Sequence, residues 1–368
     1  MQFLRAYGML DRRPSDRAAA PYPATRMLEF LKLSFWRRKS PDPCAGRPLG
    51  EQPPFKPRLG LALCCGGARA LAHVGVLEVL EDEGIEVHAI AGSSMGAYIG
   101  ALWAAGFSGA QLGELAAEMN DSRKMWKLAD PLFPPLKGLF RGEKGKRHLA
   151  RSLGDLKFED LERKLLVVTF DLDTAQRLVI QKGCIVDAVH ASCAMPGIVA
   201  PVTIEGHRCS DGGVVDPVPV GALRRFGNVD RIIAVSTLPS LAEVESGICR
   251  LEREETVSLW RRGLSTFSRH TNPLADGNIG DTFRKSIRAA QIRIAADACT
   301  RADLCLHPPY VPARWHEYER FEQFIEAGRQ IALAHLDEIR ALTELTEQPP
   351  SRPDEPDPDL MVVGECVV

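Results

Sequence analysis

The chain has 368 residues, 45% of them apolar and 26% charged, and a formal net charge of −2 at neutral pH. That length suffices for one large α/β domain with extensions, and the near-balanced charge excludes a nucleic-acid partner held by a basic surface. No apolar run reaches the roughly eighteen residues that cross a bilayer, the N-terminus lacks the order of a secretory signal, and the ten cysteines show no paired ligand spacing. The expectation is a cytoplasmic protein with reduced thiols.

Residues 1–58 form a basic, proline-rich arm with twelve Lys/Arg against five Asp/Glu. Within it, Met27 to Trp36 followed by Arg37-Arg38-Lys39 reads two ways. It is an interfacial helix that touches a membrane surface through 27–39, or a helix packed on the next domain.

From Leu59 to Leu63 a short apolar run stops at Cys64-Cys65-Gly66-Gly67, the pattern of a buried strand ending in a loop. A helix is expected from Ala68, with Leu71, Val74, Leu77 and Leu80 on one face and Gly84 at its end. Val87 to Ala91 reads as a second strand, followed by the turn Gly92-Ser93-Ser94-Met95-Gly96 and an alanine-rich helix over 97–105. Strand, helix, strand, helix is normally parallel and right-handed, so both loops fall at one sheet edge. Gly67 is thereby brought near Ser94 although 27 residues separate them.

The second turn fits G-x-S-x-G, in which a serine sits at a sharp strand-to-helix reversal and flanking glycines permit close approach. The first loop ends at a helix N-terminus, where unpaired N–H groups of Gly66, Gly67 and Ala68, with that of Met95, would stabilise developing negative charge. Either loop alone is also explained as a tight small-residue turn. No P-loop lysine or G-x-G-x-x-G accompanies them. Asp211-Gly212-Gly213, after the strand-like His207 to Ser210, supplies a carboxylate on glycines that let the backbone turn toward Ser94.

Between these motifs, Met125, Trp126, Leu128, Leu132, Phe133, Leu136, Leu139 and Phe140 cluster around prolines before a basic run, Arg141 to Arg147. They read either as core cover or as contacts for an acyl chain and its headgroup. Strands are expected at Leu165 to Phe170 and Ile232 to Val235, a helix over Asp281 to Ala296, and one long helix over Tyr318 to Leu345. The acidic, proline-rich residues 346–368 are expected to be disordered.

Together, Leu61 to Ala70, Gly92 to Gly96, Asp171 to Thr174, Ala191 to Gly197 and Asp211 to Gly213 resemble the patatin-like phospholipase family, in particular its bacterial branch related to the neuropathy-target-esterase catalytic domain. The resemblance implies an α/β fold with a mainly parallel sheet flanked by helices and a nucleophile elbow. The catalytic core would span 59–226, with an α/β continuation over 227–345. It also implies a lipid acyl hydrolase of phospholipid or lysophospholipid esters, in which Ser94 attacks the carbonyl, Asp211 takes its proton and an acyl-serine forms. Gly66, Gly67, Ala68 and Met95 would make the oxyanion hole, supported by Arg69, Gly92, Gly96, Gly212 and Gly213. No metal or cofactor is implied. Cys64, Cys65 and Ala70 stand where the family favours glycine, a departure that bears on the alignment of the oxyanion donors.

The alternatives are a same-fold esterase or acyltransferase and a catalytically silent lipid-binding regulatory module. A further alternative is a Ser-His-Asp hydrolase drawing on His270, His307, His316 or His335, which follow Ser94 and Asp211 in the chain order that fold uses. His73 reads as structural, as does Arg69 unless it orients the loop or meets a phosphate.

Overall fold

The computed structural model describes residues 55–120, 130–247, 279–314, 316–346 and 360–363, all within one compact unit, Pro53–Val368. The 27–39 segment, Met125, Trp126, Leu128 and His270 lie outside the described residues.

The strands are β1 (Leu59–Leu63), β2 (Val87–Ser93), β3 (Lys164–Asp171), β4 (Arg177–Ile180), β5 (Val202–Ile204), β6 (His207–Asp211), β7 (Arg231–Val235), β8 (Leu304–Leu306) and β9 (Leu360–Val363). Their order is β5-β6-β3-β2-β1-β7-β8, with β4 also on β3 and β9 on β4. The run β3-β2-β1-β7-β8 is parallel, and β4, β5 and β6 add antiparallel pairs. This is the mainly parallel α/β architecture the sequence predicts.

All five residues of β1 are buried, which explains its unbroken apolar run: a central parallel strand is covered on both faces. Alternate residues feed two cores. Leu61, Leu63, Ile90, Leu165 and Val167 join helices α1 (Ala72–Asp82), α2 (Met95–Ala104), α3 (Gly109–Glu118), α4 (Glu143–Leu153) and α5 (Ile185–Ser192). Ala62, Cys64, Ala89, Ala91, Leu166 and Val168 face Val218 to Leu223 and a later helix bearing Ile292 and Ala295. A short helix, α6 (Leu241–Glu245), precedes that later one, α7 (Ile279–Thr300), which runs past both ends of the helix expected there.

Three expectations change. Helix α1 begins at Ala72, because Gly67–Leu71 forms a 3-10 turn first. The long helix expected over 318–345 is two, α8 (Phe321–Ala334) and α9 (Leu336–Ala341), broken at His335, whose φ of −111° leaves the helical region and whose Nδ1 pairs with Glu338. Within the C-terminal tail, the apolar run Leu360–Val363 forms β9, parallel to β4, whose other edge is taken by β3. At the opposite end, Phe55 bridges Thr346 and Arg58 pairs with Asp230 at 3.0 Å, so the last residues of the basic arm are tied to the domain.

Candidate active site

Strand β3 positions the site. Val168 pairs with Ser93 of β2 and with Val179 of β4, so those strands hold opposite edges of β3. Thr169, one residue on, pairs with both Leu178 of β4 and Asp211 of β6. Strand β6 therefore continues along the edge that β2 vacates at Ser93, and Asp211 meets Ser94 where the two strand ends converge.

Ser94 has φ 54° and ψ −125°, a conformation unusual for a non-glycine residue and typical of a sharp elbow. The space around it explains its glycines. A Cβ on Gly92 would lie 2.6 Å from the Ala97 backbone, and one on Gly96 would lie 2.4 Å from the Leu63 carbonyl oxygen. Both sequence-predicted glycines thus allow β1, β2 and α2 to pack closely. The Ser94 N–H donates to Ser192 Oγ at 2.8 Å, and that hydroxyl donates to the Val168 carbonyl at 2.6 Å. Ser192 braces the elbow, a role that its position in the sequence did not reveal.

Ser94 Oγ donates to Asp211 Oδ2 at 2.6 Å, and Asp211 Oδ1 accepts the Gly213 N–H at 2.8 Å. Both residues are buried. Burial pushes the Asp211 carboxyl up to about 6, against the opposing pull of the Ser94 and Gly213 hydrogen bonds. The glycines after Asp211 serve close approach. A Cβ on Gly212 would meet the Val168 carbonyl oxygen at 2.1 Å, and one on Gly213 would meet Cys65, while neither residue has positive φ.

The glycine-rich loop lies beside this pair. Cys64 N–H donates to the Val235 carbonyl at 3.1 Å and Cys65 N–H to the Pro217 carbonyl at 3.0 Å. The Cys64 carbonyl accepts His73 Nε2 at 2.8 Å, and the Cys65 carbonyl accepts Thr237 Oγ1 at the same distance. His73 is fully buried, which pulls its imidazole down to about 4, so it holds the loop as a neutral donor. Both cysteines are free thiols packed into the second core, and their side chains are accommodated where the family favours glycine. Ala70 is buried in the first core.

A cavity of about 380 Å³ opens over the pair. Gly66, Gly67, Ser94 and Asp211 line it, together with Met195, Ile198, Phe283, Arg284, Arg288, Gln291, Arg314 and His316. Ala68 and Met95 do not line it; Ala68 is fully buried and Met95 packs on the first core. Arg69 is buried with its guanidinium donating to the Ala313 carbonyl and lying 5.8 Å from the Tyr310 ring centroid, away from the cavity.

Of the four histidines in the triad alternative, His307 pairs with Glu243 at 3.3 Å and His335 with Glu338 at 2.7 Å. His316 alone among the described three lines the cavity. The basic run Arg141 to Arg147 does not line it: Arg141 and Lys146 border a separate depression, and Lys146 pairs with Asp187 at 2.6 Å. Among the described residues no group of His, Cys, Asp and Glu could hold a metal, and no helix is long and apolar enough to cross a membrane.

The patatin-like phospholipase profile matches residues 61–224, a span holding Gly66, Gly67, Ser94 and Asp211. An uncharacterized NTE family protein of Mycobacterium tuberculosis is 35% identical over 238 residues, 64% of this chain and 62% of that protein. Lysophospholipase NTE1 of Pyricularia oryzae is 25% identical over 295 residues, covering 77% of this chain and 18% of its own length. Human patatin-like phospholipase domain-containing protein 6 is 28% identical over 290 residues, 75% of this chain and 20% of that one. The chain thus spans less than two thirds of the mycobacterial relative and about a fifth of the other two.

Proposed function

We propose, because residues 61–224 match the patatin-like phospholipase family model, that the chain is a lipid acyl hydrolase working through a Ser94–Asp211 dyad. The observation that carries this reading is the direct 2.6 Å hydrogen bond from Ser94 Oγ to Asp211 Oδ2 inside a cavity lined by the glycine loop. Ser94 Oγ attacks the ester carbonyl and its proton passes to Asp211. The tetrahedral oxyanion is met by the N–H groups of Gly66 and Gly67, the cavity-lining residues at the start of the 3-10 turn. Collapse expels the alcohol, which takes up the proton from Asp211, and leaves an acyl-serine. Water then gives a proton to Asp211 as it attacks the acyl carbon, and collapse breaks the acyl carbon–Oγ bond, returns that proton from Asp211 to Ser94 Oγ and releases the fatty acid. A carboxyl raised to about 6 is a stronger base than an exposed aspartate and still ionised at neutral pH.

Phospholipid or lysophospholipid esters are the proposed substrates, supported by the lysophospholipase name of the Pyricularia relative. A peripheral membrane contact is proposed as well. The N–H groups of Leu139 and Phe140 donate to the carbonyl of Ile198, a cavity-lining residue, and the same loop carries Phe133 and Leu136 at 92% and 86% exposure. Apolar side chains so exposed beside the candidate active-site cavity suit insertion into a bilayer surface.

Incubation with a panel of phospholipids, lysophospholipids and neutral acylglycerols, read by mass spectrometry beside a Ser94→Ala control, tests the activity. Fatty acid release that depends on Ser94 is expected. Release by the Ser94→Ala protein at the wild-type rate, or none from any ester by wild type, overturns the reading.

A further inference from the structure

Three arginines that the dyad chemistry does not use, Arg284, Arg288 and Arg314, line the cavity beside Ser94. Phe283, Arg284, Ile287, Arg288 and Gln291 recur at helical spacing along α7 and line the cavity as one stripe. Gln291 Nε2 donates to the Gly213 carbonyl at 2.9 Å, which sets the register of that stripe against the Asp211 loop. Arg288 is only 8% exposed. Its Nε and Nη2 nevertheless have no hydrogen-bond partner, and among the described residues it makes no ion pair or ring contact.

Among the described residues no neighbouring group supplies the missing negative charge. Asp211 is the one carboxylate among the described residues lining the cavity, and its oxygens are taken by Ser94 and Gly213. Cys65 is held well above the usual thiol range by its hydrogen bond with Cys64 and by burial, so it stays neutral. Burial, with repulsion from Arg69, brings Arg288 down to about 10, which leaves it charged at neutral pH. Arg314 differs, since it lies 3.9 Å from Glu317 and is about half exposed. A guanidinium withdrawn from water with unpaired N–H groups is costly, and its planar fork matches the oxygens of a phosphate.

We propose that Arg288 binds the phosphate of a lipid headgroup in the catalytic cavity and thereby selects phosphate-bearing esters over neutral ones. The inference rests on the lipid hydrolase reading for its substrate, but the anion site is testable without turnover. Arg141 to Arg147, the sequence's more conspicuous basic run, has no part in it, because that run does not line the cavity.

The test measures binding of lysophosphatidylcholine and of a monoacylglycerol with the same acyl chain to Ser94→Ala protein, with and without Arg288→Gln. The ratio of the two affinities should fall at least tenfold on Arg288→Gln and recover in part with Arg288→Lys. An unchanged ratio, or equal weakening of both ligands, overturns the proposal. If Arg288→Gln does not fold, glycerol 3-phosphate and glycerol are compared as competitors for the lysophospholipid on Ser94→Ala protein. Competition by the phosphate ester alone supports the site, and equal competition overturns it. Inorganic phosphate binding that depends on Arg288, with no difference between the two lipids, would mark a free-anion site and also overturn headgroup selection. Failure of wild type to hydrolyse any ester would sink the hydrolase reading alone and leave the binding result standing.

Discussion

The two sides of the cavity are built on different terms. On one side, Gly66, Gly67, Ser94 and Asp211 stand on strand ends whose backbone is pinned: Cys64 to Val235, Cys65 to Pro217, Ser94 to Ser192, Asp211 to Ala194. On the other side, α7 and the Arg314–His316 stretch bring long side chains, including a buried arginine with unpaired nitrogens. Fixed dipoles stabilise charge that develops during a reaction without reorganising, whereas long polar side chains discriminate among ligands. The proposed division is chemistry on the pinned side and selection on the helical side.

The strongest break in that division comes at Ser94. Ser94→Ala should reduce ester hydrolysis on the order of 10⁴-fold or more and abolish covalent labelling by a serine-directed phosphonate, while the melting temperature changes little. Alanine tolerates the elbow's positive φ no better and no worse than serine, so a folded but inactive protein is expected. Turnover within tenfold of wild type would place the chemistry elsewhere.

Asp211→Asn should cost nearly as much, roughly 10³-fold, because it keeps the shape and loses the base. Its effect on stability should have the opposite sign. The folded-state carboxyl sits near 6, above its usual 3.8. Its contribution to stability is therefore most favourable below pH 3.8 and is lost as pH rises through about 6, a difference on the order of 3 kcal/mol. The Asn variant escapes that penalty and should resist urea better than wild type at pH 8. A less stable variant there would mean that the Ser94 and Gly213 bonds outweigh the burial of the charge.

Much of the pinned side was legible because its constraints are local. A strand, a loop and a helix within 59–105 leave glycines wherever two backbones must touch, and Gly92 and Gly96 report those contacts directly. The helical side was not legible. Arg288 sits in a helix whose pattern marks it only as one charge among several, and its burial depends on α7 crossing the Asp211 loop, where Gln291 meets Gly213 across 78 residues of chain. Gly328 shows the same limit: it reads as an indifferent helix residue, yet a Cβ there would meet the Ala72 carbonyl oxygen at 1.8 Å where α8 crosses the start of α1. Ser192 fell between these cases, inside a family-like segment but without a turn pattern to assign it a partner.

A pH profile sharpens the comparison next. If the pinned side supplies the base, kcat/KM should fall about tenfold per unit as pH drops below about 6, because only ionised Asp211 accepts the Ser94 proton. A limb near 4 would indicate an exposed carboxylate. Smaller again is the effect at the rim: Phe133→Ser with Leu136→Ser should weaken binding to phosphatidylcholine vesicles roughly tenfold, on the order of 1 kcal/mol or less for each partly inserted side chain. Sedimentation of vesicles checks this, and equal binding by the double variant would assign membrane contact to another surface.

The smallest expected effect carries the remaining question about the two sides. His316 is the one described candidate of the triad alternative that lines the cavity. Were it the base, it would sit between Ser94 and Asp211 and take its orientation from the carboxylate. Instead Ser94 Oγ reaches Asp211 directly at 2.6 Å, and the other carboxylate oxygen is engaged by Gly213, which leaves no place for an imidazole between them. His316→Ala should therefore lower kcat less than about threefold, with any larger change confined to KM, since a lining residue acts through binding. A loss in kcat approaching that of Ser94→Ala would move catalysis onto the helical side and replace the dyad with a triad.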